Sequence, residues 1–297
     1  MRQKTYQILG CLATALLLSG CSQSDDNLQE ADNPVPVTMT VGIGQAATRA
    51  QSDLQSNRFR AGEVFHAYFP ADITVTRTDY TIQSQVAQAE PADQPFVKKS
   101  ALSPVVHAYY PSTVSETTAE FTVRRDQSDN GDYMASDLMY ATTTIDPKGH
   151  ADLVFSHRMS KVIIRAKAGR GLTRIIGVKV VKGYLKVDIA TPLTATPGST
   201  LSDEVGKASP LVLLKNNLTG SSDCAALLPP QTIDSSENFL EVETDGGIAY
   251  FNLADDLTMD GGKSYTFEFN VDVTNIGLTA TITPWVVNPQ QNVDTEL

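Results

Sequence analysis

Among the 297 residues, the side chains able to do covalent or proton chemistry are few and scattered. The four histidines are His66, His107, His150 and His157. None of them forms a pair with metal-ligand spacing on one strand or helix face. His150 and His157 fall seven residues apart across a strand, which is poor geometry for a shared metal. There is no Gly-x-Ser-x-Gly, no phosphate-cradling glycine loop and no CxxC. Asp245 and Asp260 precede paired glycines, which fits hairpin turns better than calcium ligands. Tyr68, Tyr80, Tyr109, Tyr110 and Tyr140 could line a sugar site, although strands favour tyrosine in any case. Leu153, Phe155 and His157 share one strand face, so His157 is expected in the core with a satisfied hydrogen bond. These residues add up to no catalytic constellation and call for neither metal nor cofactor.

The residue whose surroundings do specify chemistry is Cys21. Arg2 and Lys4 precede the apolar run Ile8–Leu18, which has the length of a signal-peptide core and is too short to span a bilayer stably. Leu18-Ser19-Gly20-Cys21 then resembles a lipobox, in which small residues let a peptidase reach the backbone and the thiol is diacylated. Each buried methylene contributes about 0.8 kcal/mol, so more than one acyl chain anchors stably. Ser22-Gln23-Ser24-Asp25-Asp26 is similar to the export signal of surface lipoproteins, and equally readable as a solvated linker. Of the other cysteines, Cys11 leaves with the signal and Cys224 stands alone, which excludes an intramolecular disulfide in the mature chain. Loss of two cations with the signal takes the formal charge from −11 to about −13. Such a chain has no electrostatic footprint for nucleic acid and no basic patch for anionic lipid.

The elements that carry these residues are short strands. Residues 22 to 36 are polar and contain two prolines, as in a flexible tether. Val37, Met39, Val41 and Ile43 alternate with Thr38, Thr40, Gly42 and Gly44, a period-two strand. Gln45 to Ala50 is small and polar around Arg49, an exposed and protease-accessible connection. Further strands are expected at 63–69, 105–110, 119–123, 152–155, 162–166, 174–189, 211–214, 239–242, 248–253, 264–273 and 278–282. Asp129-Asn130-Gly131, Pro147-Lys148-Gly149, Pro197-Gly198, Asp245-Gly246-Gly247 and Asp260-Gly261-Gly262 supply turns. No stretch has a long helical period. The pattern predicts an all-β chain of two antiparallel β-sandwich, transthyretin-like domains in tandem. The expected organisation is a signal over 1–20, tether and removable first strand over 21–49, and domains over 50–168 and 169–297. Trp285 is expected to cap the second core.

Several segments together resemble the fimbrillin-like proteins of Bacteroidales type V pili. They are Asp137-Leu138-Met139-Tyr140-Ala141, then Leu153-Val154-Phe155-Ser156-His157-Arg158-Met159-Ser160-Lys161, with Tyr109-Tyr110-Pro111, Pro230-Gln231-Thr232, Gly262 to Phe267 and Ile282 to Trp285. The resemblance spans nearly the whole mature chain. It implies a cell-surface fimbrial subunit, tethered to the outer membrane by lipid on Cys21 and then cut by an arginine-specific protease between Arg49 and Ala50. The cut would remove the strand carrying Val37, Met39, Val41 and Ile43 and leave a groove for another subunit's strand. Partners would be other fimbrial subunits, with a host protein or glycan as a further possibility. Residues 286–297 do not alternate and contain Pro289, a poor donor strand, which points to a tip or minor subunit. The competing readings are a stand-alone surface lipoprotein that binds glycan or host protein, and a hydrolase with an unrecognised site.

Overall fold

The computed structural model describes residues 33–44, 59–101, 103–189, 200–206, 208–216, 221–272 and 276–283. From Asn33 onward the chain packs as one compact unit that is almost entirely β-strand, the all-β class expected from its alternating pattern. Seven strands of the first half close on themselves. Their order is His150–His157, Thr38–Ile43, Val86–Ala89, Arg77–Gln83, Val64–Tyr68, Val105–Tyr110 and Met139–Thr144, which returns to His150–His157. Every pairing in this barrel is antiparallel except one: Thr38–Ile43 runs parallel to His150–Phe155. Closure leaves the first half's main sheet without open edges, a protected arrangement for so many short strands.

The second half is built from smaller sheets. A five-stranded sheet has the order Leu214–Asn216, Ser221–Leu228, Ser160–Ala168, Ser264–Val271, Ile276–Thr283. A four-stranded sheet contains Leu211–Val212, Ile175–Val180, Asn238–Thr244 and Gly247–Asn252. The single run expected over 174–189 is therefore two strands, Ile175–Val180 and Gly183–Asp188, which join different sheets. Ser160–Ala168 pairs with Ser221–Leu228 and Ser264–Val271, not with the barrel. We therefore propose the division between the halves at Arg158–Met159 rather than at 168. The halves are also laced together, because Glu120–Thr122 leaves the first half to pair with Gly183–Asp188.

One expected turn is a helix. Asp129-Asn130-Gly131 opens the six-residue helix Asn130–Ala135. The Asp129 carboxylate accepts from the Asp132 backbone N–H at 2.9 Å, a side-chain N-cap, and the short helix buries Tyr133 and Met134. The same Asp that suits a turn suits a cap, and only the apolar pair behind it decides between them.

Two buried glutamines take the place of strand partners. Gln127 donates from Nε2 to Leu227 O at 2.9 Å and accepts from Leu227 N at 2.8 Å. Gln231 does the same for Tyr184, donating to its carbonyl at 3.0 Å and accepting from its N–H at 2.7 Å, and it also donates to Pro229 O at 3.1 Å. Gly183, at φ +130°, makes the room: a Cβ there would lie 2.9 Å from Gln231 Oε1. Buried backbone groups that lose their partners are expensive. Gln231→Leu is expected to destabilise the fold by about 2–4 kcal/mol, since several such groups are affected at once. Urea unfolding checks this: the midpoint should fall with the m-value unchanged.

Candidate functional site

The strand Thr38–Ile43 is an interior strand of the barrel. Thr38–Ile43 lies between two neighbours, in parallel register with His150–Phe155 on one side and antiparallel to Val86–Ala87 on the other. Main-chain bonds extend the seat at both ends: Val37 N to Pro95 O and Thr38 N to Gly149 O at the start, Gly44 N to Phe155 O at the close. The Gln94 side chain donates to Val37 O at 2.8 Å. Gly149 has φ +84°, and a Cβ on it would fall 2.5 Å from Pro36 O, so the close approach of the incoming chain requires glycine there.

The inward side chains are those marked by the alternation. Val37, Met39, Val41 and Ile43 are all buried and belong to the core cluster that includes Phe65, Ile82, Leu153 and Phe155. Burying each contributes about 1.5–3 kcal/mol, so the four together rival the net stability of a whole domain. Taking this strand away would expose four apolar sockets and the hydrogen-bonding groups of both neighbours. The chain that follows is pinned at Phe59, whose ring lies edge-on to Phe155 at 5.1 Å and to Tyr110 at 5.5 Å between centroids.

The outward face of the strand is polar and ordered. Thr38, Thr40 and Gly42 stand opposite His150, Asp152 and Val154. Thr40 Oγ1 donates to Asp152 Oδ1, and His150 Nε2 lies 3.0 Å from the same oxygen. Thr38 Oγ1 lies 3.2 Å from His150 Nδ1. The Thr40 hydroxyl, and after it His150, hold the Asp152 carboxyl below the usual carboxylate range.

The other residues singled out in the sequence are not gathered at one point. His66 Nδ1 pairs with Asp79 Oδ1 at 2.6 Å beside Arg77, and His107 Nδ1 with the Tyr140 hydroxyl at 2.6 Å. His157 Nδ1 meets Asp137 Oδ1 at 2.8 Å, with side chains 2 % and 0 % exposed, in the core position its strand face implied. Asp137 opens the Asp137-Leu138-Met139 segment, and nothing in its local spacing marks it as the partner of His157, 20 residues away. Tyr80, Tyr109, Tyr110 and Tyr140 are buried, which removes them as a sugar platform. Burial also pushes the Tyr80 and Tyr110 phenols above their usual range and the Cys224 thiol up to about 11. Asp245 closes the hairpin between Asn238–Thr244 and Gly247–Asn252 and accepts from Thr173. Cys21, Arg49, Ala50, Trp285 and residues 286–297 lie outside the described residues.

Comparison with known proteins agrees with this architecture. No curated protein sequence matches the chain. The fold is similar to that of a proposed cell adhesion protein from Bacteroides uniformis, with a TM-score of 0.64 and 16% identity over 85% of this chain and 99% of that one. A proposed cell adhesion protein from Bacteroides ovatus has a TM-score of 0.64 and 16% identity, over 86% of this chain and all (100%) of the other. A third, from Bacteroides fragilis, has a TM-score of 0.52 and 11% identity over 86% and 99% of the two chains. At these identities the likeness is one of fold. The sequence itself matches the model of the fimbrillin-like family over residues 25–285, and on that match, which takes in the barrel, its first strand and most of the second half, the chain belongs to the fimbrillin-like family.

Proposed function

We propose that this fimbrial subunit is exported as a lipoprotein acylated on Cys21, is cut between Arg49 and Ala50, and assembles by accepting another subunit's strand in the seat of Thr38–Ile43. The observation that carries the reading is the placement of that strand. It is enclosed by two neighbours, buries four side chains counting Val37 just before it, and among the described residues stands in the one parallel pairing of the barrel. A strand so placed leaves a complete, specific groove when it goes. The connection from it to the rest of the barrel contains Arg49, between Gly44 and Phe59. Backbone pairing and alternate apolar sockets are what strand addition uses for affinity and specificity. The role is structural, with no chemistry asked of the histidines, each of which is held by a neighbouring side chain.

Brief trypsin treatment of the folded precursor is expected to clip after Arg49 and leave a resistant remainder. Mass measurement of the mature N-terminus on cells gives the decisive reading. Ala50 at the terminus supports processing and assembly; an acylated Cys21 on polymer-free chains would favour a stand-alone surface lipoprotein instead.

A further inference from the structure

The outward face of the first strand says what kind of strand fits its seat. A carboxylate accepts hydrogen bonds and does not donate, so Thr40 must donate to Asp152 Oδ1. His150 Nε2, 3.0 Å from the same oxygen, must donate as well. In the neutral imidazole this makes Nδ1 an acceptor, and the Thr38 hydroxyl lies between two acceptors, Nδ1 at 3.2 Å and the Gly149 carbonyl at 3.5 Å. The position of His150 is itself pinned, its backbone N–H bound by Asp146 Oδ1 at 2.8 Å. The rim of the seat therefore presents two acceptors at paired positions two residues apart. It reads hydrogen-bond donors.

The third outward position is different. Gly42 has nothing within 4 Å of where a Cβ would stand. Opposite it, Val154 is 54 % exposed, and on the other flank Val86, opposite Thr40, is 49 % exposed. Glycine within a strand carries the largest loss of backbone freedom and packs nothing. The resident strand is thus well matched at Thr38 and Thr40 and poorly matched at Gly42.

Resting on the strand-exchange reading, we infer that the seat selects its occupant by the outward side chains: a partner segment with apolar residues at the Val37, Met39, Val41 and Ile43 positions, hydroxyl donors at the Thr38 and Thr40 positions, and a β-branched residue at the Gly42 position. Such a strand keeps every contact of the resident one and adds cover for Val154, so its entry is downhill. An acidic side chain at the Thr40 position is rejected, because it would face Asp152 across a parallel pair.

The test uses the full chain, cut within residues 45–58 so that the resident strand is held only by contacts. Labelled peptides with the sequence of residues 35–44 are added, and their incorporation is read by native mass spectrometry. The peptide with Gly42→Thr is expected to outcompete the unaltered peptide about fivefold, the difference β-branched residues make over glycine in strands. The peptide with Thr40→Asp is expected to be taken up at least about tenfold less, and to recover on a chain carrying Asp152→Asn. Equal uptake of all three peptides would overturn the selection rule while leaving strand exchange standing. Failure of even the unaltered peptide to enter would overturn strand exchange itself, and the rule with it.

Discussion

The chain carrying Val41→Asp is expected to lose its seated first strand, with a loss of at least about 4 kcal/mol in unfolding free energy. Val41 is buried between apolar neighbours in the barrel, in register with Leu153 of the parallel strand. An unpaired carboxylate there forfeits the transfer energy of the valine and adds the desolvation of a charge, among the most destabilising single changes known. The strand is held on both sides by backbone bonds, so the damage should spread along it as a unit. Denaturant unfolding of the two chains measures the loss. Strand exchange gives the result a second half: adding the unaltered peptide of residues 35–44 should restore most of the lost stability, because the vacated seat remains a groove of the right shape. A large loss without rescue would mean that the strand is an ordinary core element and not a replaceable one. Thr38→Val is a useful contrast. It touches only the exposed rim and should shift stability by no more than about 1 kcal/mol.

His157→Leu is expected to cost about 3–5 kcal/mol, close to the effect of breaking a buried ion pair from one side. The imidazole and the Asp137 carboxyl are both sealed from solvent, and removing one takes a hydrogen-bond partner from the other where water cannot replace it. The pair also stands at the junction of the halves. Arg158 N donates to Leu138 O, tying the end of His150–His157 to the segment that holds Asp137. Gly262, where a Cβ would lie 3.1 Å from His157 O, brings the turn before Ser264–Val271 against the same point. The midpoint of urea unfolding should fall accordingly. The double variant with Asp137→Leu should lose less than the two single variants added together, the mark of an interacting pair.

Much of this was legible in residue order. Period-two alternation marked Val37, Met39, Val41 and Ile43 as one buried face, and the structure buries all four. Alternation is local, and in a strand it translates directly into which side chains face the core. His157 shares the face of Leu153 and Phe155 and is buried with them. What failed to show was anything set by a distant partner. Asp129 suits a turn or a helix cap equally well, and burial of Tyr133 and Met134 chose the cap. Gln127 reads as an ordinary polar residue, and Gln231 as one residue of the Pro230-Gln231-Thr232 segment, until each is seen paired with a backbone amide 100 and 47 residues away.

The sequence by itself determined the compositional and local facts: an all-β chain and the faces its strands bury. These depend on side-chain type at short spacing, and short spacing is what strand geometry reads. Only the tertiary structure decided that the first strand runs parallel to His150–Phe155, that Asp137 answers His157, and that Thr38 and Thr40 meet His150 and Asp152 from 112 residues away. Such pairings are chosen by the packing of the whole barrel, because many registers satisfy local alternation and closing the sheet over a shared core narrows them.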